Sequence, residues 1–179
     1  MFLRADAAIA EATTPAGNAH VFVRRARAGD VDAIVELVNA WAAEDLLLAR
    51  TPAQIALAID DYVVATDARG RLLGCGALRA YSPSLAELVS LAVTRETHGK
   101  GVGRLVVQAV EQLARVRGYD SVFAHTLVPA FFASVGYEAV DRTLYPEKVA
   151  RPHTTCLHRE LTGIAGARGD ATLAIGRAA

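Results

Sequence analysis

The chain has 179 residues, of which 53% are apolar by type and 21% are charged, with no formal net charge. That length and apolar content suit one globular domain with a sizeable core and exclude an intrinsically disordered chain. The even charge balance leaves no electrostatic footprint for nucleic acid or for an anionic membrane surface, so neither is expected as a partner.

Two cysteines, Cys75 and Cys156, are too few for a disulfide framework and suit a reducing compartment. Asp6 stands where a signal peptide needs its apolar run. No segment reaches the roughly 18 uninterrupted apolar residues of a membrane span. The expected location is cytoplasmic.

Residues 1–19 are Ala-rich and lack periodicity, which predicts a flexible N-terminal tail. His20 to Arg25 reads as a strand. Asp30 is placed to cap a helix whose Val31, Ile34, Val35, Val38, Trp41 and Ala42 share one face, read as core. A loop with three leucines, Leu46 to Leu48, leads to Arg50. Thr51 then caps, and Pro52 suits the first helical position of a short helix over 53–60. Tyr62 to Thr66 and Leu72 to Tyr81 read as strands joined by a hairpin connection, with Gly74 and Gly76 marking a bulge or a close approach. Pro83 turns the chain into an apolar strand, Leu85 to Val93, in which Glu87 is the one charged residue. A short polar turn runs into His98-Gly99-Lys100-Gly101-Val102-Gly103-Arg104. An amphipathic helix follows, carrying Leu105, Val106, Ala109, Val110, Leu113 and Ala114 and stopped by Gly118. Ser121 to Thr126 is a strand, and Pro129 opens a short helix that Gly136 ends. Tyr137 to Thr143 reads as a strand, 146–152 as a loop, and Thr154 to Leu161 as a final strand. Residues 163–179 are Gly- and Ala-rich and are expected to form a flexible C-terminal tail. The folded domain is thus placed at 20–162. Consecutive strands argue antiparallel pairing, while the strand–helix–strand unit around Gly101 argues one parallel pair. The expected class is α/β (α+β), with a mixed, mostly antiparallel central sheet and helices on both faces.

Strand, glycine turn and helix head together make an anion site. First-turn N–H groups lack internal partners, the helix dipole places positive charge there, and glycine lets a phosphate come close. A nucleotide P-loop would need Ser or Thr after Lys100, where Gly101 stands. A dinucleotide fingerprint would need its third glycine at Arg104. The stretch resembles instead the signature of the GNAT superfamily of acyl-CoA N-acyltransferases: Arg or Gln, two residues, Gly, one residue, Gly or Ala. Gly101 and Gly103 fill the glycine positions, and His98 stands where Arg or Gln is usual. The resemblance covers roughly residues 21 to 161, and the order of elements is that of the GNAT fold. It implies acetyl-CoA as co-substrate, with the pyrophosphate held by the turn from His98 through Arg104, chiefly through backbone amides. It also implies a pantetheine arm along Leu91, Ala92 and Val93, where that strand splays from Ser121 to Thr126, and direct attack of a neutral amine on the thioester.

Such attack needs a base, an oxyanion site and a proton for the leaving thiolate. Glu87 is the candidate base, and strand alternation puts it on the face of Val89 and Leu91 unless a bulge intervenes. The Tyr that serves many GNAT members as acid is replaced by Phe132. Thr126 is the candidate catalytic hydroxyl, with Ser90 and His125 near it, although a thiol with a pKa near ~8.5 is a fair leaving group unaided. Arg50 can clamp a carboxylate, and Lys148 can add a second positive charge. A narrower resemblance rests on Leu47-Leu48-Ala49-Arg50, Gly74-Cys75-Gly76-Ala77-Leu78, the strand from Ala86 to Val93, Pro129-Ala130-Phe131-Phe132 with Gly136-Tyr137, and Pro146-Glu147-Lys148-Val149. These stretches are similar to those of the short bacterial amino-acid N-acetyltransferases that act as N-acetylglutamate synthases in arginine biosynthesis. This implies L-glutamate as the acceptor, with Arg50, Ser90 and Lys148 on the substrate side, and a homodimer is common in the superfamily. Another amine as acceptor and a non-catalytic acyl-CoA sensor are the alternatives. The spacing of His153, Cys156 and His158 is no familiar zinc signature, and no metal is expected.

Overall fold

The computed structural model describes residues 10–13, 20–145 and 153–161. Its eight strands are β1 (Ala10–Thr13), β2 (His20–Arg25), β3 (Tyr62–Thr66), β4 (Leu72–Ala80), β5 (Leu85–Val93), β6 (Ser121–Thr126), β7 (Glu138–Ala139) and β8 (Thr155–Glu160). They form one sheet in the order β1-β2-β3-β4-β5-β6-β8-β7. Every neighbouring pair is antiparallel except β5 and β6. Four α-helices accompany it: α1 (Val31–Ala42), α2 (Pro52–Leu57), α3 (Val102–Val116) and α4 (Pro129–Ser134). The expected fold class holds.

Alternation explains the central strands. Val63 and Ala65 of β3 pack into the core with α3, while Tyr62 and Val64 pack into a second core with α1 and α2. A strand covered on both faces reads as an unbroken apolar run, which β3 does. Phe132 puts α4 on the α3 side. Gly76 shows why glycine interrupts β4: a Cβ there would stand 2.9 Å from Val106 Cγ1 of α3. The sheet also changes register at this point, so both readings of the glycine are met.

Thr51 caps α2 as expected. Its Oγ1 accepts from the Gln54 N–H at 3.2 Å, and Gln54 Oε1 accepts in return from the Thr51 N–H at 3.0 Å. Asp30 precedes α1 but does not cap its first turn. Its carboxylate accepts from the Arg27 N–H at 2.7 Å and pairs with Arg24 through two contacts of 2.7 and 2.8 Å, locking the corner after β2.

The remaining differences are local. Ala10–Thr13, expected within a tail, pairs with β2 as an edge strand. Backbone pairing at an edge needs no side-chain period, so the sequence carries no sign of it. The helix expected over 53–60 ends at Leu57 and gives way to a 3₁₀ turn at Ile59–Asp61. The strand expected from Tyr137 to Thr143 is only Glu138–Ala139, because Asp141 Oδ1 accepts from the Thr143 N–H at 2.8 Å and bends the chain into a 3₁₀ turn. The expected 146–152 loop with Lys148, and the 163–179 tail, lie outside the described residues. No helix among the described residues is long and apolar enough to cross a membrane.

Candidate active site

β5 and β6 pair over only Leu85↔Ser121, Ala86↔Val122 and Glu87↔Phe123. Beyond Glu87 the strands part: β5 stays with β4, and β6 follows β8. A cleft of about 720 Å³ opens in the wedge. Glu87 sits at its apex, and the head of α3 lines it along with the turn before it. Of the residues singled out from the sequence, Glu87, Ser90, Leu91, Ala92, Val93, Arg50 and Thr126 all line this cleft, as do His98, Gly99, Gly101, Gly103 and Arg104. Lys100 and Val102 do not. Val102 is buried in the core, which leaves its backbone N–H as its one offering to a ligand.

The turn is built for close approach. Gly99 and Gly101 have φ of 71° and 85°, in the left-handed region that glycine enters without strain. Leu105 is the first residue whose N–H reaches a carbonyl at the helix start, that of Gly101 at 3.2 Å. The N–H groups of Val102, Gly103 and Arg104 lie ahead of it at the open helix head. A Cβ on Gly103 would stand 3.2 Å from the Phe131 ring, so α4 is seated tightly against this head. The His98 ring stacks on Trp41 with centroids 5.1 Å apart and planes 4° from parallel.

A bulge reshapes β5. Cys75 pairs with Ala92 and Ala77 with Val89, so Ser90 and Leu91 together oppose Gly76. Ser90 has φ of 53°, a costly conformation for a non-glycine residue. The extra residue reverses the alternation. Val89 and Ala92 pack with the α1–α2 core, while Leu88, Leu91 and Val93 pack with the α3 core. Glu87 therefore shares a face with Val89 but not with Leu91, which corrects the simple alternation. The Thr94 N–H donates to Leu73 on β4 at 2.9 Å, so the neighbouring Val93 carbonyl faces the cleft. Trp41 Nε1–H donates to that carbonyl at 2.9 Å.

Glu87 is 4% exposed and does not stand alone on an apolar strand. Arg79 donates to Glu87 Oε2 through Nε at 3.1 Å and an Nη at 2.8 Å. His125 Nδ1 lies 3.6 Å from Oε1. Arg79 escaped the sequence reading, although a signal existed: folding the hairpin about Pro83 sets Arg79 opposite Glu87, where the structure has it. Arg50 is fixed through its backbone, which the Asn39 amide grips at both ends: Asn39 Oδ1 accepts from the Arg50 N–H at 2.8 Å, and Asn39 Nδ2–H donates to the Arg50 carbonyl at 2.9 Å. The Tyr62 hydroxyl donates to Ser90 Oγ at 3.2 Å. Burial pushes the Tyr62 phenol up, against the pull of Ser90 and Arg50. Thr126 Oγ1 accepts from the Val128 N–H at 3.0 Å, so this hydroxyl also shapes the turn after β6. Phe132, in the place of the usual acid, is buried edge-to-face against Tyr137. No cluster of three or more His, Cys, Asp or Glu side chains suited to a metal ion occurs among the described residues.

The profile described as Acetyltransferase (GNAT) family matches residues 17–137. The chain is 38% identical over 137 residues to an uncharacterized N-acetyltransferase of Chlorobaculum tepidum, covering 76% of this chain and 88% of that protein. It is 35% identical over 123 residues to the amino-acid acetyltransferase of Mycobacterium tuberculosis, covering 68% and 70% respectively. Among solved structures, it superposes on M. tuberculosis Rv2747 in complex with CoA with a TM-score of 0.70 at 26% identity, over 77% of this chain and 98% of that one. The N-acetylglutamate synthase of Neisseria gonorrhoeae, complexed with coenzyme A and N-acetyl-glutamate, gives a TM-score of 0.70 at 24% identity. That match covers 79% of this chain but only 35% of the longer protein, and it is a likeness of fold.

Proposed function

The chain belongs to the GNAT family of acetyltransferases, enzymes with acetyl-CoA as co-substrate, and on that premise we propose that it acetylates the α-amino group of an amino acid, L-glutamate first, in arginine biosynthesis. The observation that carries this reading is the wedge between β5 and β6. It brings the glycine turn, the open edge of β5, Glu87 and Arg50 into one cleft. The name amino-acid acetyltransferase of the M. tuberculosis relative supports the acceptor class. The cytoplasm suits two buried cysteines, Cys75 and Cys156.

In this reading the acetyl-CoA pyrophosphate lies on the N–H groups at the head of α3, and the pantetheine follows Leu91 to Val93. Arg50 holds the acceptor's carboxylate. The amine nitrogen attacks the thioester carbonyl, its proton passes to Glu87 directly or through water, and a carbon–nitrogen bond forms. The bulge at Ser90 and Leu91 takes backbone out of the ladder beside that carbonyl. The carbon–sulfur bond then breaks. With Phe132 in place of a phenol, the thiolate departs without a dedicated acid and takes up its proton afterwards.

One observation favours a second acceptor class. Leu46 and Leu48 line the cleft at 40% and 52% exposure, which would suit an acceptor with an apolar side chain. CoA release from acetyl-CoA, measured against glutamate, glutamine, aspartate, leucine, methionine and polyamines, separates the readings. Saturable release with glutamate alone is the expected result. A preference for leucine or methionine would move the acceptor to the second class, and silence across the panel would overturn small-amine acetylation.

A further inference from the structure

Helix α1 belongs in sequence to neither half of the site, yet two of its side chains, two residues apart, hold one half each. Asn39 grips the backbone of Arg50 on the acceptor side. Trp41 donates to the Val93 carbonyl on the open edge of β5, and its ring carries the stacked His98 of the glycine turn. Arg95, which opens the turn after β5, places its guanidinium 4.6 Å from the Trp41 ring centre and is paired in turn with Glu44, just past the end of α1. Four residues at the C-terminal end of α1 and in the turn after β5 thus form one stacked and charge-paired unit.

We propose that Trp41 is a positioning residue for acyl-CoA. Its indole N–H fixes the Val93 carbonyl and its ring braces His98, so that the strand edge and the phosphate turn are held in register for one ligand. The departure of His98 from the usual Arg or Gln has a reason here. A flat ring at that position can stack on Trp41, which a flexible amide or guanidinium does less rigidly. With the Val93 carbonyl occupied, a pantetheine amide along β5 is left the Val93 N–H and the backbone of Leu91, which fixes the direction of the arm. Asn39 plays the matching part for Arg50, so α1 sets the distance between acceptor and thioester. This inference rests on acyl-CoA occupying the Gly101 turn.

Trp41→Phe keeps a ring and removes the N–H, while His98→Gln removes the stack and leaves the core alone. Each is expected to weaken acetyl-CoA binding by about fivefold, the worth of one ordinary contact of this kind, seen by calorimetry and as a raised KM for acetyl-CoA. The acceptor KM should hold nearly steady in both. Asn39→Leu should show the reverse split. Because Trp41 is the chain's only tryptophan, wild-type emission should also shift when acetyl-CoA binds. Unchanged acetyl-CoA affinity in both Trp41→Phe and His98→Gln would overturn the proposal. Gly101→Ala, strained at its φ of 85°, tells the two failures apart. If it alone loses acetyl-CoA, the turn is the site and Trp41 is only structural. If all three variants bind normally, the ligand does not use this turn and both readings fall.

Discussion

Glu87 is gripped by Arg79 through one oxygen, with His125 beside the other. This arrangement holds a buried charge in place and aims it at the cleft. Glu87→Gln keeps the shape and discards the proton acceptor, so kcat should fall by about a hundredfold or more while acetyl-CoA affinity stays the same. Pre-steady-state turnover beside calorimetric binding checks the split, and a kcat within a few-fold of wild type would remove Glu87 from the chemistry. A second carboxylate tests electrostatics away from the cleft. Glu111 on α3 is buried, which raises its pKa above 4.5, although Arg159 and Arg115 pull it back. A carboxyl that holds its proton more tightly when folded stabilises fully below its unfolded value, and that share is lost as pH climbs through the raised one. Glu111→Gln should therefore gain in urea midpoint relative to wild type as pH rises from about 4 to 7. A constant difference across that range would contradict the assignment.

At the scale of elements, β4 and α3 meet at a glycine. Gly76→Ala would put a methyl 2.9 Å from Val106 Cγ1, and overpacking of this kind costs roughly 1–3 kcal/mol. Val106→Ala in the same chain should recover part of the loss, so the double variant should be more stable than the sum of the two singles allows. Strict additivity would mean that the strain relaxes elsewhere. The elements themselves were mostly legible, because the Leu85 to Val93 and Val102 to Val116 stretches carry strong apolar patterns and clear glycine stops. What was not legible depends on partners distant in sequence. The bulge at Ser90 is a property of how β5 registers on β4. Trp41 fitted the core face of α1, and nothing local says that its N–H meets a carbonyl 52 residues onward. The short β7 failed as a prediction because Asp141 turns the chain by a side-chain contact, which period-2 reading does not weigh.

Across the whole molecule, the sheet is two sheets joined at a narrow hinge of pairing. β1 to β5 stand on one side, β6 to β8 on the other, and the three pairs nearest Leu85 link them. A ligand lying in the wedge contacts both. Saturating acetyl-CoA at about a hundred times its Kd should raise stability by about 2.7 kcal/mol. Hydrogen exchange should slow along β6 and the free edge of β5 more than along β2 and β3. A thermal midpoint that ignores acetyl-CoA would contradict ligand binding in the wedge. The cleft residues were legible as types and positions, since glycines, a lone carboxylate and an arginine stand out in any sequence. Their convergence was not, because it depends on where two strands stop pairing.

The reversal at Ser90 also says how this chain tolerates change. Substitutions in β5 alter one side chain at a time. Deleting Ser90 would leave Leu91, Ala92 and Val93 on the faces they now hold and close the strand into an unbroken ladder, so the cores would survive and the backbone freed beside the cleft would be lost. In lineages descending from this chain, the stretch from Glu87 to Val93 should keep its length more faithfully than its letters.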